Sequence, residues 1–380
     1  VRDLGVRRII TSEIEHHAVL YTVNQLQDCF DVEVEYVSLD SKGHVDLKDL
    51  EERLKSSDTK TLVSLMHVNN EIGNMLDLKK TAQLVKSYNA LFHSDTVQSV
   101  GHFELDFEEI PVDFTAVSAH KFHGPKGVGF AYVRRNSGLK PLIFGGEQER
   151  GHRAGTEGVH NIVGLEEALK LAYQDLDKEQ AYVKGLKQHF IDKLKQEIPG
   201  VSFNGACEDH TQSTYTLLNV CLPVTQEKAL MLLFQLDLKG IACSKGSACQ
   251  SGSDTGSHVL NAFCSEEDLK KPSLRFSFSR YNTKEEIDYV VATLKDFIEN
   301  SNVAASIALE TKDVKKIQGV QLLGTITELK AEELNNATKQ YLKEFPYAEK
   351  MKLHLWQMKL TFIKMTDNKL GFGKKLIWEV

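Results

Sequence analysis

Residues 118–129 read Ser118-Ala119-His120-Lys121-Phe122-His123-Gly124-Pro125-Lys126-Gly127-Val128-Gly129, and the reading of Lys121 decides the fold. This lysine stands between the apolar run Phe114-Thr115-Ala116-Val117 and a glycine-rich turn. A lysine amine becomes a nucleophile toward an aldehyde when burial lowers its pKa, and the product is a Schiff base. That chemistry points to pyridoxal phosphate. A surface lysine beside a turn is the competing reading, and this segment alone leaves the two level.

The partner that tips the balance lies upstream, in Leu91-Phe92-His93-Ser94-Asp95-Thr96-Val97-Gln98, which reads as a short buried strand ending in an acid. Ligands of open α/β sheets bind beyond the carboxyl ends of the strands, where Asp95 would lie. A pyridoxal ring needs a carboxylate on its pyridinium nitrogen to act as an electron sink. An N-cap for a following helix is the alternative use of such an aspartate.

Strands and amphipathic helices alternate around these residues. The pattern predicts a strand over 61–65, a helix over 78–88, a strand into Asp95 and another over 114–118, the βαβ rhythm of a parallel sheet. A helix over 176–198 then precedes strands at 201–203 and 215–220, a helix over 227–238, a strand holding Cys243, a strand over 274–279 and a helix over 284–300. The expected class is therefore α/β, a mostly parallel large sheet followed by a small α/β domain.

Composition agrees. The chain has 380 residues, 41% hydrophobic and 26% charged, with net charge −7, an ordinary soluble balance with length for two or three domains. The mild negative charge argues against a nucleic-acid partner. No long apolar segment, signal peptide or transit peptide is visible, so no membrane association is expected and the expected compartment is the cytoplasm.

The six cysteines are Cys29, Cys207, Cys221, Cys243, Cys249 and Cys264. They contain no Cys-x-x-Cys pair and no repeating Cys/His cluster, so no metal site is expected. Most reduced cysteines are small buried hydrophobes. Cys249 differs, because Gly246-Ser247-Ala248-Cys249-Gln250-Ser251-Gly252-Ser253 reads as a flexible stretch with an exposed thiol. Such a thiol can visit a buried cofactor and leave carrying sulfur.

Taken in order, Glu15-His16-His17-Ala18-Val19-Leu20, Met66-His67-Val68-Asn69-Asn70-Glu71-Ile72-Gly73, His93-Ser94-Asp95 through Gln98 and the Lys121 segment form one series. Arg150-Gly151-His152-Arg153-Ala154-Gly155-Thr156, Cys243 through Cys249 and Ser273-Leu274-Arg275-Phe276-Ser277 continue it. Across residues 1 to about 300 the chain resembles the NifS/IscS-type cysteine desulfurases, class V, pyridoxal-phosphate enzymes of aminotransferase fold type I. The resemblance implies that Lys121 holds the cofactor, Asp95 its pyridine nitrogen and Gln98 its ring hydroxyl, with His16 stacked on the ring and either Lys121 or His16 as the catalytic base that moves the substrate α-proton. It implies Ser118 and His120 as phosphate ligands, and Thr156 as a residue reaching a neighbouring subunit's phosphate. Asn70 and Arg275 would grip the substrate carboxylate, and Cys249 would accept sulfur from L-cysteine for an iron–sulfur scaffold or another acceptor protein. A homodimer is implied as well.

The residues themselves leave alternatives open. Arg275 offers a planar fork suited to a carboxylate, yet on a strand it is otherwise an edge charge. His16 also suits a helix start, and Asn70 a turn. Another enzyme of the same fold, such as a selenocysteine lyase, would keep Lys121, Asp95 and Arg275 without needing Cys249. A non-catalytic fragment is the third reading.

Two departures from the family pattern shape the expected domains. The family carries, ahead of these motifs, an Asp-Tyr-Ser-Ala-Thr-type segment and a Ser-Gly-Ala-Thr-Glu-type phosphate loop, and neither occurs here. An N-terminally truncated large domain over 1–165 is the expectation, followed by a small domain over 166–302. Residues 303–380 then change character, with no arginine, thirteen lysines against nine acids, and both tryptophans, Trp356 and Trp378. Their segments 318–326, 345–347 and 362–375 resemble the C-terminal half of a split β-barrel related to pyridoxamine-phosphate oxidases. No flavin site is expected there, because half of such a barrel is missing. The chain thus reads as joined pieces of two genes, or as a fusion whose tail is an interaction module.

Overall fold

Arg8-Ile9-Ile10-Thr11 is buried along its whole length, as a strand covered on both faces must be, and it is β1 of a six-stranded sheet in the computed structural model. The structure describes residues 1–226, 228, 229, 232–245, 256–299, 302–308, 318–350, 353, 355–367, 369 and 375–379. The chain divides into two units, Val1–Lys295 and Asp296–Val380.

In the first unit β1 (Arg8–Thr11) leads through α1 (His17–Phe30) to β2 (Glu33–Tyr36), then through α2 (Leu47–Lys55) to β3 (Thr61–Ser64). Helix α3 (Leu78–Ser87) connects to β4 (Leu91–Asp95), and β5 (Phe114–Ser118) and β6 (Gly129–Val133) complete the sheet. The strand order is β2-β1-β3-β4-β5-β6, parallel throughout except for β6. The order reverses at β1, the kind of switch point beyond whose carboxyl strand ends ligands sit.

Alternation along each strand sorts the core into two faces. Ile10, Val63 and Phe92 pack with Leu50, Leu54, Ala82 and Val85 of α2 and α3 on one side. Ile9 turns the other way, toward Val19, Val23 and Leu26 of α1. Full burial of each such side chain stabilises the fold by about 2 kcal/mol. Helix starts are capped by local acids: Asp46 accepts from the Lys48 amide at 2.8 Å, and Asp77 from the Lys80 amide at 3.0 Å.

Helices α4 (Val159–Gln174) and α5 (Leu176–Glu197) lead to a three-stranded antiparallel sheet of β7 (Ser202–Phe203), β8 (Leu217–Cys221) and β9 (Ser273–Ser277). Short helices α6 (Leu232–Leu238), α7 (His258–Asn261) and α8 (Glu266–Leu269) join β8 to β9, and α9 (Lys284–Glu299) follows. Phe190 of α5 meets Phe276 of β9 edge to face, with ring centroids 5.0 Å apart. Lys187 lies fully buried one turn before Phe190, its ammonium donating to Ser213 Oγ at 3.0 Å and to the Thr214 carbonyl at 2.7 Å.

The strand expected around Cys243 does not form. Ser244 exchanges one reciprocal pair of backbone bonds with Arg275, and residues 241–243 make no ladder. Gly240 at φ 77° has just turned the chain, so it reaches the edge of β9 only at Ser244.

In the second unit β10 (Asn302–Ala308), β11 (Gln318–Glu328), β12 (Trp356–Asp367) and β13 (Lys375–Glu379) form an antiparallel sheet in sequential order. Helix α10 (Ala331–Glu344) connects β11 to β12. The β11–β12 register shifts at Leu323/Gly324, and a Cβ on Gly324 would lie 2.2 Å from the Lys359 carbonyl oxygen, so this bulge requires glycine.

Candidate active site

Because side chains alternate along a strand, Leu62, Ser64 and Met66 from β3 onward, His93 and Asp95 on β4, and Ala116 and Ser118 on β5 all face one side of the sheet. They floor a cavity of about 680 Å³ whose wall is α1, through Val19, Thr22, Val23 and Leu26. His16, Asn70, Gln98, His120, Lys121 and Arg275 complete the lining. A cavity of this size lies within the range of small-molecule sites.

Each polar residue is held by an identifiable local device. Asp95 is the last residue of β4, 9% exposed, and its carboxylate accepts the Val97 amide at 2.9 Å. No helix follows, so the expected N-cap is replaced by a turn bond: one oxygen holds the Val97 amide, and the group faces the cavity. His16 is both a helix cap and a lining residue. Its Nδ1 accepts the Ala18 amide at 3.1 Å, so the neutral ring carries its proton on Nε2. Lys121 stands in a short 3₁₀ turn, Ala119–Phe122, that leaves β5 directly and ends at His123 in the left-handed region.

Arg275 extends from the middle of β9, and its Nη1 donates to the Asn70 carbonyl at 2.7 Å. That bond ties the small sheet to the turn after β3 and fixes the plane of the guanidinium. The Asn70 Oδ1 atom is buried with no hydrogen-bond partner, an arrangement that a bound ligand would satisfy. Two cations, Lys121 and Arg275, oppose one carboxylate, Asp95, so the cavity suits an anionic ligand. Burial, with Lys121 and Lys126 nearby, pushes the His120 pKa down.

The structure thus gathers His16, Asn70, Asp95, Gln98, Ser118, His120, Lys121 and Arg275 around one cavity. Thr156 is exposed and is not among the lining residues. Cys249 lies outside the described residues. The sequence reading had no role for Ser64 and His93, which share the floor, with Ser64 Oγ and His93 Nδ1 2.8 Å apart. Strand alternation about Asp95 is the signal that finds His93, since residues two apart share a face. Glu15 was also without a role. It is fully buried beside the cavity wall, one oxygen accepting from the Met66 amide and Ser12, the other without a partner, and burial pushes its pKa up to about 8.

Comparison with known proteins now defines the class. Residues 5–290 match the aminotransferase class-V family, and the chain belongs to it. The chain is 38% identical over 310 residues to a cysteine desulfurase IscS of Dictyoglomus turgidum, covering 82% of this chain and 77% of that protein. It is 40% identical over 300 residues to a putative cysteine desulfurase IscS 1 of Bacillus subtilis, covering 78% of this chain and 76% of the relative. A solved NifS-like protein superposes with a TM-score of 0.68 at 35% identity, covering 77% of this chain and 75% of that one. The family depends on pyridoxal phosphate, and a carboxylate, an amine and an unsatisfied amide oxygen in one cavity fit that cofactor.

Proposed function

We propose that the chain is a cysteine desulfurase, taking sulfur from L-cysteine with pyridoxal phosphate bound in the 680 Å³ cavity. One observation carries the reading: Asp95, Lys121 and Arg275, from three separate elements, meet around that cavity. Lys121 would hold the cofactor covalently, Asp95 its ring nitrogen, Gln98 its hydroxyl, His16 its face, and Ser118 with His120 its phosphate. When bound, the cofactor supplies a carbonyl for amine exchange and an electron sink for the substrate α-carbon.

The protein's own residues do the rest. Arg275, held in plane by its bond to the Asn70 carbonyl, takes the substrate carboxylate in a fork, with the Asn70 side-chain N–H as a further donor to that carboxylate. His16 has its Nδ1 lone pair occupied by the Ala18 amide, so toward the cavity it offers a donor, not a base. Lys121 is therefore the group that moves the α-proton. The Cys249 thiolate then attacks the substrate sulfur: the S–S bond forms as the C–S bond breaks, the electron pair returns to the carbon, and a proton completes L-alanine. Cys249 is left as a persulfide, for transfer to an iron–sulfur scaffold or another acceptor.

Further parts of the reading rest on the family likeness. They are a homodimer in which Thr156 reaches the neighbouring subunit's phosphate, and a cytoplasmic location. The second unit is read as half of a split β-barrel, which its antiparallel sheet and the segments 318–326 and 362–375 support. Replacing Cys249 by Ser tests the sulfur route: sulfide and alanine production should stop while cofactor absorbance stays, and unchanged turnover would refute the role.

A further inference from the structure

The turn after β4 that carries Gln98 into the cavity continues into Gly101 and His102, and these residues reach behind the cavity to the main chain of Lys121. His102 Nε2 lies 3.0 Å from the Lys121 carbonyl oxygen. A carbonyl oxygen only accepts, so Nε2 must carry the proton. Nδ1 is then a lone pair, and it faces the Tyr215 hydroxyl at 3.3 Å. The His102 carbonyl accepts from Gln180 Nε2 at 2.7 Å, and the same Tyr215 hydroxyl stands 3.2 Å from it. Tyr215 is 1% exposed and meets the imidazole edge to face. Burial holds the His102 pKa below its ordinary value, which keeps the ring in this neutral form.

The partner atom explains why this matters. Carbonyls at the end of a helical turn have no bond within the turn, and in the Ala119–Phe122 turn the Ala119 carbonyl takes both the His123 and Gly124 amides. The Lys121 carbonyl is satisfied by His102 instead. Gly101 braces the same turn from beside it: its φ is 81°, and an added Cβ would lie 2.6 Å from Phe122 Cβ. The peptide that aims Lys121 is therefore clamped at two adjoining residues, and the clamp is anchored on α5 and on Tyr215, ahead of β8.

We propose that His102 is a positioning residue for Lys121, fixing the lysine's main chain through its Nε2–H bond and coupling that bond to the layer of Gln180 and Tyr215. The proposal rests on the reading of Lys121 as the cofactor-bearing amine. A shift of the lysine by a fraction of its reach changes how its nitrogen meets both cofactor and α-proton, and misplacement on the 1 Å scale costs a rate about a hundredfold.

Two measurements test it. In the cofactor-free chain, imidazole nitrogen resonances should show His102 as the neutral Nε2–H tautomer; an Nδ1–H tautomer would overturn the bond assignment. In the chain loaded with pyridoxal phosphate, His102→Leu should shift the pH midpoint of the Lys121 Schiff-base absorbance. It should also lower kcat by about tenfold to a hundredfold with KM nearly unchanged. His102→Gln keeps an N–H at the same reach and should recover most of the loss. An unchanged midpoint and kcat in the Leu variant, or a Gln variant no better than Leu while both melt like wild type, would refute the role. Should His102→Leu not fold, Tyr215→Phe removes only the hydroxyl and should shift the midpoint from its wild-type value; no movement would count against the proposal. If borohydride trapping in the wild type placed the cofactor on another residue, the cofactor reading would fail, while the tautomer measurement would still decide the His102 bond.

Discussion

The floor of the cavity comes from neighbouring strands β3, β4 and β5, whose alternate residues must face one way, whereas its mouth joins His16, Asn70 and Arg275 from segments far apart in the chain. The floor is positioned by backbone ladders, which side-chain changes leave intact. The mouth depends on bonds between segments far apart in the chain, among them Arg275 to the Asn70 carbonyl and the Asn219 side chain to the Glu71 carbonyl. Substitutions on the floor should therefore damage chemistry with binding geometry retained, and substitutions at the mouth should damage substrate binding first.

The sharpest way to break that contrast is Asp95→Asn, which keeps shape and the Val97 hydrogen bond but removes the charge. Loss of one such electrostatic group should lower kcat by about a hundredfold or more with KM little changed, as steady-state turnover of cysteine would show. A change in KM alone would move Asp95 from the floor's role to the mouth's. Arg275→Lys comes next. It keeps the charge but loses the planar fork and the bond to Asn70, so KM for cysteine should rise about tenfold or more, the value of a charge-assisted hydrogen bond, with a smaller effect on kcat.

The smallest effect concerns stability. Glu15 has its pKa raised from 4.5 to about 8 by burial, so between those values the folded state holds a proton that the unfolded state has released. Stability contributed this way is lost as pH rises through that window. His67, lowered to about 4 by burial, gives the opposite slope, but only up to its ordinary value of 6.5. Lys187, lowered from 10.5 to about 8, adds a rising slope only above that. Between 6.5 and about 8 those two groups are silent, and the rising slope from the Val1 ammonium, lowered from 8.0 by burial, is common to wild type and variant, so their difference isolates Glu15. There Glu15→Gln should flatten the decline measured by denaturant unfolding, by up to about 1 kcal/mol per pH unit.

The same contrast governs what was legible in the sequence. Asp95 was readable because a buried run ending in an acid marks the carboxyl end of a strand, and Lys121 because it follows a strand and precedes glycines. His93 and Ser64 follow from the same alternation once β4 and β3 are fixed. The pairing of Asn70 with Arg275 was not legible from spacing, since a bond across so many residues depends on how the small sheet docks against the turn after β3. Likeness to a family named the pair; the Asn70 carbonyl contact emerged only in three dimensions. The Cys243 strand failed for a related reason: an apolar run shows burial, but a ladder also needs a partner edge within reach, and here only Ser244 finds one. His102 was invisible because its value lies in a bond to a backbone oxygen, which no residue type announces.

If Lys121 and Asp95 jointly hold pyridoxal phosphate over the strand floor, Lys121 should be the amine that carries it. Borohydride reduction of the chain with added pyridoxal phosphate, followed by peptide mapping, tests it most directly. The absorbance band near ~400 nm should be lost and the reduced adduct should lie on Lys121. An adduct spread over surface lysines, or none at all, would contradict it.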